Sequence, residues 1–164
     1  MIAAWSGFRA LDAERRRLVL EAAVTLALVW VGLRAMPLGQ LRRHLDAYSR
    51  RRPARAATST AAIAWAVQAA GRRFPPGRAC LVEALAADAM LRRRSYHSEV
   101  RLGVRKKTDG SFLDGHAWVE CDGVVVVGGV DDLDTYGQLR EAPVSRTQTA
   151  ELVRRYPVRD IGRQ

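Results

Sequence analysis

Leu81 to Leu91 is the segment that most limits how this chain can fold. It is apolar almost all round a helix, interrupted only by Glu83 and Asp88. Such a helix belongs inside a domain rather than on its surface. The chain has 164 residues, enough for one domain with a real core. Arg92-Arg93-Arg94 closes the segment, where cations suit the negative end of the helix dipole.

The period of the pattern changes after this helix. Ser98 to Arg105 alternates polar and apolar residues, as a half-buried strand does. Lys106 to Gly110 reads as a turn. His116 to Cys121, Asp122-Gly123 and Val124 to Val127 form a hairpin signal, because Asp-Gly suits a type I′ turn. The valine run carries no charge and is expected inside the sheet, where it cannot aggregate. Before the central helix, residues 11–35 and 38–51 read as helices. A third, Ala61 to Ala70, is capped by Thr58-Ser59-Thr60 and ended by Gly71. Arg50 to Arg55 reads as a charged linker, and Ala150 to Tyr156 as a short terminal helix. The fold class is therefore α+β: N-terminal helices, then a central buried helix, packed on an antiparallel sheet. Residues 1–56 form an N-terminal helical region and 57–164 the core, expected to pack as one unit.

The charge is strongly positive: 27 Lys and Arg against 17 acids, or +10, with two lysines among the 27. A basic surface favours acidic partners. Nucleic acid is not the expected partner: the arginines are dispersed, with no zinc-finger spacing and no aromatic RNA-binding motif. Ala22 to Leu33 is twelve residues with Thr25 as the one polar member. A spanning helix wants about 20 apolar residues. A buried or docking helix is the better reading, ahead of peripheral membrane contact or a span. No signal peptide opens the sequence, and two cysteines suit a reduced cytoplasm.

Cys80 and His116 carry the chemistry. Phe74-Pro75-Pro76-Gly77 stops just before the cysteine, and the central helix starts just after it. A thiol on the first turn of a helix lies beside unpaired N–H groups and the positive dipole end, which favour the thiolate. His116 heads a strand, with Trp118 and Glu120 on its own face and Ala117, Val119 and Cys121 on the other. An imidazole near a thiol can take and return its proton. Cys121 reads as core, and His44 and His97 as surface histidines. No metal or cofactor is implied.

Ala62-Ile63-Ala64-Trp65-Ala66-Val67, Cys80-Leu81-Val82-Glu83-Ala84-Leu85-Ala86, Val100-Arg101-Leu102-Gly103-Val104 and His116-Ala117-Trp118-Val119-Glu120 with Asp122-Gly123 resemble the leader peptidase of lasso peptide biosynthesis. That family is a small cysteine protease with a transglutaminase-like, papain-related core. The resemblance spans roughly residues 10–140. It implies a Cys-His-Asp triad, with Cys80 as nucleophile and His116 as base. The family usually has an acid near the position of Gly128-Gly129. A two-residue turn would pair Cys121 with Val124 and His116 with Gly129, leaving Asp131, then Asp132, as the orienting acid. Asp122 is the turn residue. A backbone carbonyl or amide side chain could replace the acid. The Cys80 N–H would be one oxyanion donor and Gln68 a second.

The function this implies is removal of the leader from a ribosomally made precursor peptide. Its partners would be the precursor, a separate small leader-recognition protein and a macrolactam-forming cyclase. Two other readings stand beside it: acyl transfer to an amine, and an inactive scaffold that binds the precursor and cyclase.

Overall fold

The computed structural model describes residues 11–51, 58–72, 79–106 and 113–138. Among these residues four helices precede the sheet: α1 (Ala13–Ala35), α2 (Leu38–Arg51), α3 (Thr60–Gly71) and α4 (Ala79–Arg92). The sheet follows: β1 (Ser98–Lys106), β2 (Leu113–Cys121), β3 (Val124–Val127) and β4 (Gly137–Gln138), with a 3-10 turn at Leu133–Thr135 before β4. The strand order is β3-β2-β1-β4, and every pairing is antiparallel. This is the α+β arrangement expected from the sequence. The Pro-Gly loop before Cys80, the Arg50–Arg55 linker beyond Arg51, the turn after Lys106 and the Ala150–Tyr156 helix lie outside the described residues.

Local chemistry explains the helix starts. Asp12 caps α1 by accepting from the Arg15 N–H at 2.7 Å, and Ser59 caps α3 by accepting from the Ala62 N–H at 3.2 Å. The central helix α4 is covered as its composition demands: Ala84, Leu85, Ala86, Ala87, Met90 and Leu91 are all buried. α1, α2 and α3 pack against it on one side and β1 and β2 on the other. Ala117 and Val119 of β2 and Val127 of β3 join that core. Complete burial of a residue such as Leu85 contributes about 2 kcal/mol. Gly32 lets α2 approach α1, because a Cβ there would stand 2.6 Å from Leu41 Cδ1.

α1 is long and apolar enough to cross a membrane by length and composition. Leu18, Val19, Ala22, Leu26 and Val29 are buried in the core instead. Leu20, Val24, Leu28 and Val31 form an exposed stripe on its outer side.

The three arginines at the end of α4 do more than meet a dipole. Arg94 donates to Glu21 on α1 at 2.9 Å and Arg93 to the same carboxylate at 2.8 Å. Arg92 spans Asp88, Asp46 and the Ser98 carbonyl. The end of the central helix is thus tied to α1, α2 and β1.

Two expectations about the hairpin need correction. The valine run is an edge strand, not an inner one. Val124 is 64% exposed while Val127 is buried, and α3 packs alongside the strand. The turn does pair Cys121 with Val124, but the register then slips: Glu120 pairs with Val125 and Val119 with Val127. Val126 is the extra residue of a β-bulge. β3 ends at Val127, so the expected His116–Gly129 pair does not form.

Candidate active site

Cys80 is the second residue of α4, in the turn whose N–H groups have no partner within the helix. It is partly exposed and packs on one side against the core. Cys121 is buried, and burial pushes its thiol above the ordinary cysteine value. The two cysteines therefore differ as the sequence suggests: one accessible at a helix start, one sealed in the sheet.

His116 is half-buried on β2. Strand alternation turns it, with Trp118 and Glu120, away from the face where Ala117 and Val119 meet the helices. Its Nε2 donates to the Gly128 carbonyl at 2.7 Å. A carbonyl oxygen can only accept, so Nε2 carries a proton, and in the neutral ring the lone pair is on Nδ1. No hydrogen bond joins His116 to Cys80. Gly128 has φ +80, and a Cβ there would stand 2.6 Å from the Ala117 carbonyl oxygen. Glycine is what lets this backbone curl past β2 and aim its carbonyl at the ring.

Two aromatic rings flank the imidazole. Trp118 lies nearly parallel to it at 6.2 Å between centroids, and Tyr136 is tilted against it at 5.4 Å. The Trp118 indole donates to Glu120 at 2.9 Å. That bond, with Arg101 beyond it, holds the Glu120 carboxyl below its usual range. Gly103 on β1 pairs with His116 and leaves room for both neighbours. A Cβ there would meet Tyr136 Cβ at 2.8 Å and Trp118 Cζ3 at 2.9 Å.

The other sequence candidates fall as follows. Asp131 is exposed in the turn after β3 and has no hydrogen bond to His116. Asp132 is engaged by Arg105. Asp122 is the turn residue, at φ 50. Gln68 is exposed on α3, where it lines a groove of about 350 Å³ with Trp65, Val125 and Val126. His44 donates from Nδ1 to the Gln40 carbonyl at 2.8 Å, and His97 is exposed. Sequence reading missed Tyr136, which touches His116 from beyond the hairpin. Beyond Asp134 the sequence carries no clear helix or strand period, so nothing there marks a ring contact.

Glu83 lies one helical turn past Cys80. Burial raises its carboxyl above the ordinary glutamate value. It presses against Gly71 at the end of α3, where any Cβ would collide with its carboxylate. Among the described residues no cluster of histidine, cysteine or carboxylate side chains could hold a metal.

No curated protein and no solved structure matches the chain significantly. A family match does exist, from Ala22 in α1 to residue 141, and so takes in Cys80, His116 and all four strands. The chain belongs to the transglutaminase-like superfamily.

Proposed function

We propose that the protein is a cysteine peptidase that cuts a ribosomally made precursor peptide, of the lasso type, at its leader–core junction. The observation that carries this is the His116 Nε2–Gly128 hydrogen bond, which frees Nδ1 as a base in a chain whose accessible cysteine starts a helix. Superfamily membership supports cysteine-based chemistry in general. The leader-peptidase role rests on the motif resemblance.

In this reading the two side chains are brought together on substrate binding, Nδ1 of His116 takes the Cys80 proton, and the thiolate attacks the scissile carbonyl. The Cys80 N–H stabilises the oxyanion. Collapse breaks the C–N bond as the imidazolium gives its proton to the departing amine. Water then attacks the thioester, His116 accepting and returning its proton, and the leader leaves as a carboxylic acid. The Gly128 carbonyl takes the orienting place that Asp131 would fill in a triad. A separate recognition protein delivers the leader, a cyclase takes the new amine, and the work is done in the cytoplasm.

The test is precursor cleavage, with the recognition partner present, by the wild-type chain and by Cys80→Ala and His116→Ala. Loss in both variants supports the proposal, and unchanged cleavage by Cys80→Ala would falsify it. Product mass separates hydrolysis from acyl transfer, since transfer to an amine adds that amine in place of water.

A further inference from the structure

We propose that Tyr136 is the positioning residue of the His116 ring, held in place by a clamp of Asp114 and Arg105. The inference rests on His116 acting as base to Cys80. A base is useful when its ring plane and tautomer are fixed, and among the described residues His116 has a single hydrogen bond to fix them. That bond holds one corner of the ring. It leaves the imidazole free to swing about the Nε2–Gly128 direction unless its faces are blocked. Trp118 and Tyr136 supply the blocking surfaces.

The tyrosine is itself well anchored. It is 8% exposed. Its hydroxyl donates to Asp114 Oδ2 at 2.8 Å. Arg105 donates from Nε to the same carboxylate oxygen at 3.1 Å and lays its guanidinium over the phenol at 4.4 Å. Arg105 also reaches Asp132 and Thr135 in the turn just before Tyr136. β4 then pairs Gly137 with Val104 and Gln138 with Gly103, the β1 residue opposite His116. One arginine thus joins β1, β2 and the returning segment around the ring that abuts the histidine. Burial and the Asp114 bond raise the phenol's pKa, so it stays a neutral donor. Among the described residues, the charged and titratable groups bonded to the ring's aromatic neighbours or to their anchors are Asp114 on its own strand, Glu120 through Trp118, Arg105 on β1, and Asp132 after β3, with Tyr136 itself against the ring.

The test is the pH profile of Cys80 alkylation by iodoacetamide, read in the full chain for wild type, His116→Ala, Tyr136→Phe and Tyr136→Leu, with thermal melts alongside. Positioning predicts that Tyr136→Leu falls toward the His116→Ala profile, with alkylation near neutral pH down about tenfold. Tyr136→Phe keeps the ring but loses the Asp114 anchor, and should fall in between. A Tyr136→Leu chain that folds and keeps the wild-type profile overturns the proposal, because a purely structural role moves the melt and not the profile. If Tyr136→Leu does not fold, Tyr136→Phe decides: a displaced profile supports the proposal and a superimposable one overturns it. Should wild type and His116→Ala coincide, the Cys-His reading itself fails. Nitrogen-15 NMR of the His116 ring then judges Tyr136 alone: loss of the Nε2–H tautomer in Tyr136→Phe supports it, and an unchanged tautomer sinks it.

Discussion

The imidazole of His116 and the peptide carbonyl of Gly128 meet at 2.7 Å across the top of the hairpin. The contact depends on a left-handed backbone at Gly128 (φ +80). Gly128→Ala puts a Cβ in that conformation, 2.6 Å from the Ala117 carbonyl oxygen. Its cost should be about 3 kcal/mol in a urea melt. Gly129→Ala is the control: its Cβ would meet Val125 Cγ1 at an ordinary 3.6 Å. A shift within about 0.5 kcal/mol is expected there.

Because a carbonyl already holds Nε2, Asp131 should be dispensable. Asp131→Asn is expected to keep precursor cleavage within about threefold of wild type, far from the hundredfold or more that follows loss of a general base. A drop of that larger size would place Asp131 in the triad.

The two thiols should separate in a simple titration. Under native conditions Cys80 reacts with an aromatic disulfide reagent, while Cys121, 6% exposed and raised by burial, stays silent until denaturant is added. Cys80→Ala then abolishes the native-state signal, and Cys121→Ala leaves it intact.

Glu83 should make stability fall as pH rises. Burial raises its native pKa above the unfolded value of about 4.3, so the folded chain binds more protons between the two values. Its contribution is complete below the unfolded value, is lost as pH climbs through the native one, and is flat beyond. Glu83→Gln removes that slope. Denaturant melts across mildly acidic to neutral pH should show the variant gaining on wild type as pH increases.

Glu21 holds Arg93 and Arg94 with side chains 16% and 6% exposed. Glu21→Ala strands the buried Arg94 charge and should cost about 3 kcal/mol. Equilibrium unfolding measures it, and a loss under 0.5 kcal/mol would show the pairing to be incidental.

Much of this architecture is legible in the residues. Ser59 ahead of an alanine-rich run marks the start of α3, and the all-round apolarity of Leu81–Leu91 marks a helix with protein on both sides. Alternation and Asp122-Gly123 mark β1 and the β2–β3 hairpin. What was not legible has physical reasons. Four valines in a row are equivalent to the ladder, so nothing in them announces that Val126 is the bulged one. β4 spans two residues, too few for a period to show. Arg93 and Arg94 meet a carboxylate over seventy positions away, which spacing rules cannot reach. In the candidate site, the positions of Cys80 and His116 follow from local pattern. The ring's acceptor does not, because every residue carries a carbonyl and its direction is set by the backbone.

That makes the bulge a spacer with a chemical outcome. Deleting Val126 would shorten the route from the turn by one step, and the oxygen facing the imidazole would then belong to Gly129. The next residue along has a side chain and is not built for a left-handed bend. Chain length between turn and ring, more than the identity of any side chain there, sets which atom the histidine leans on.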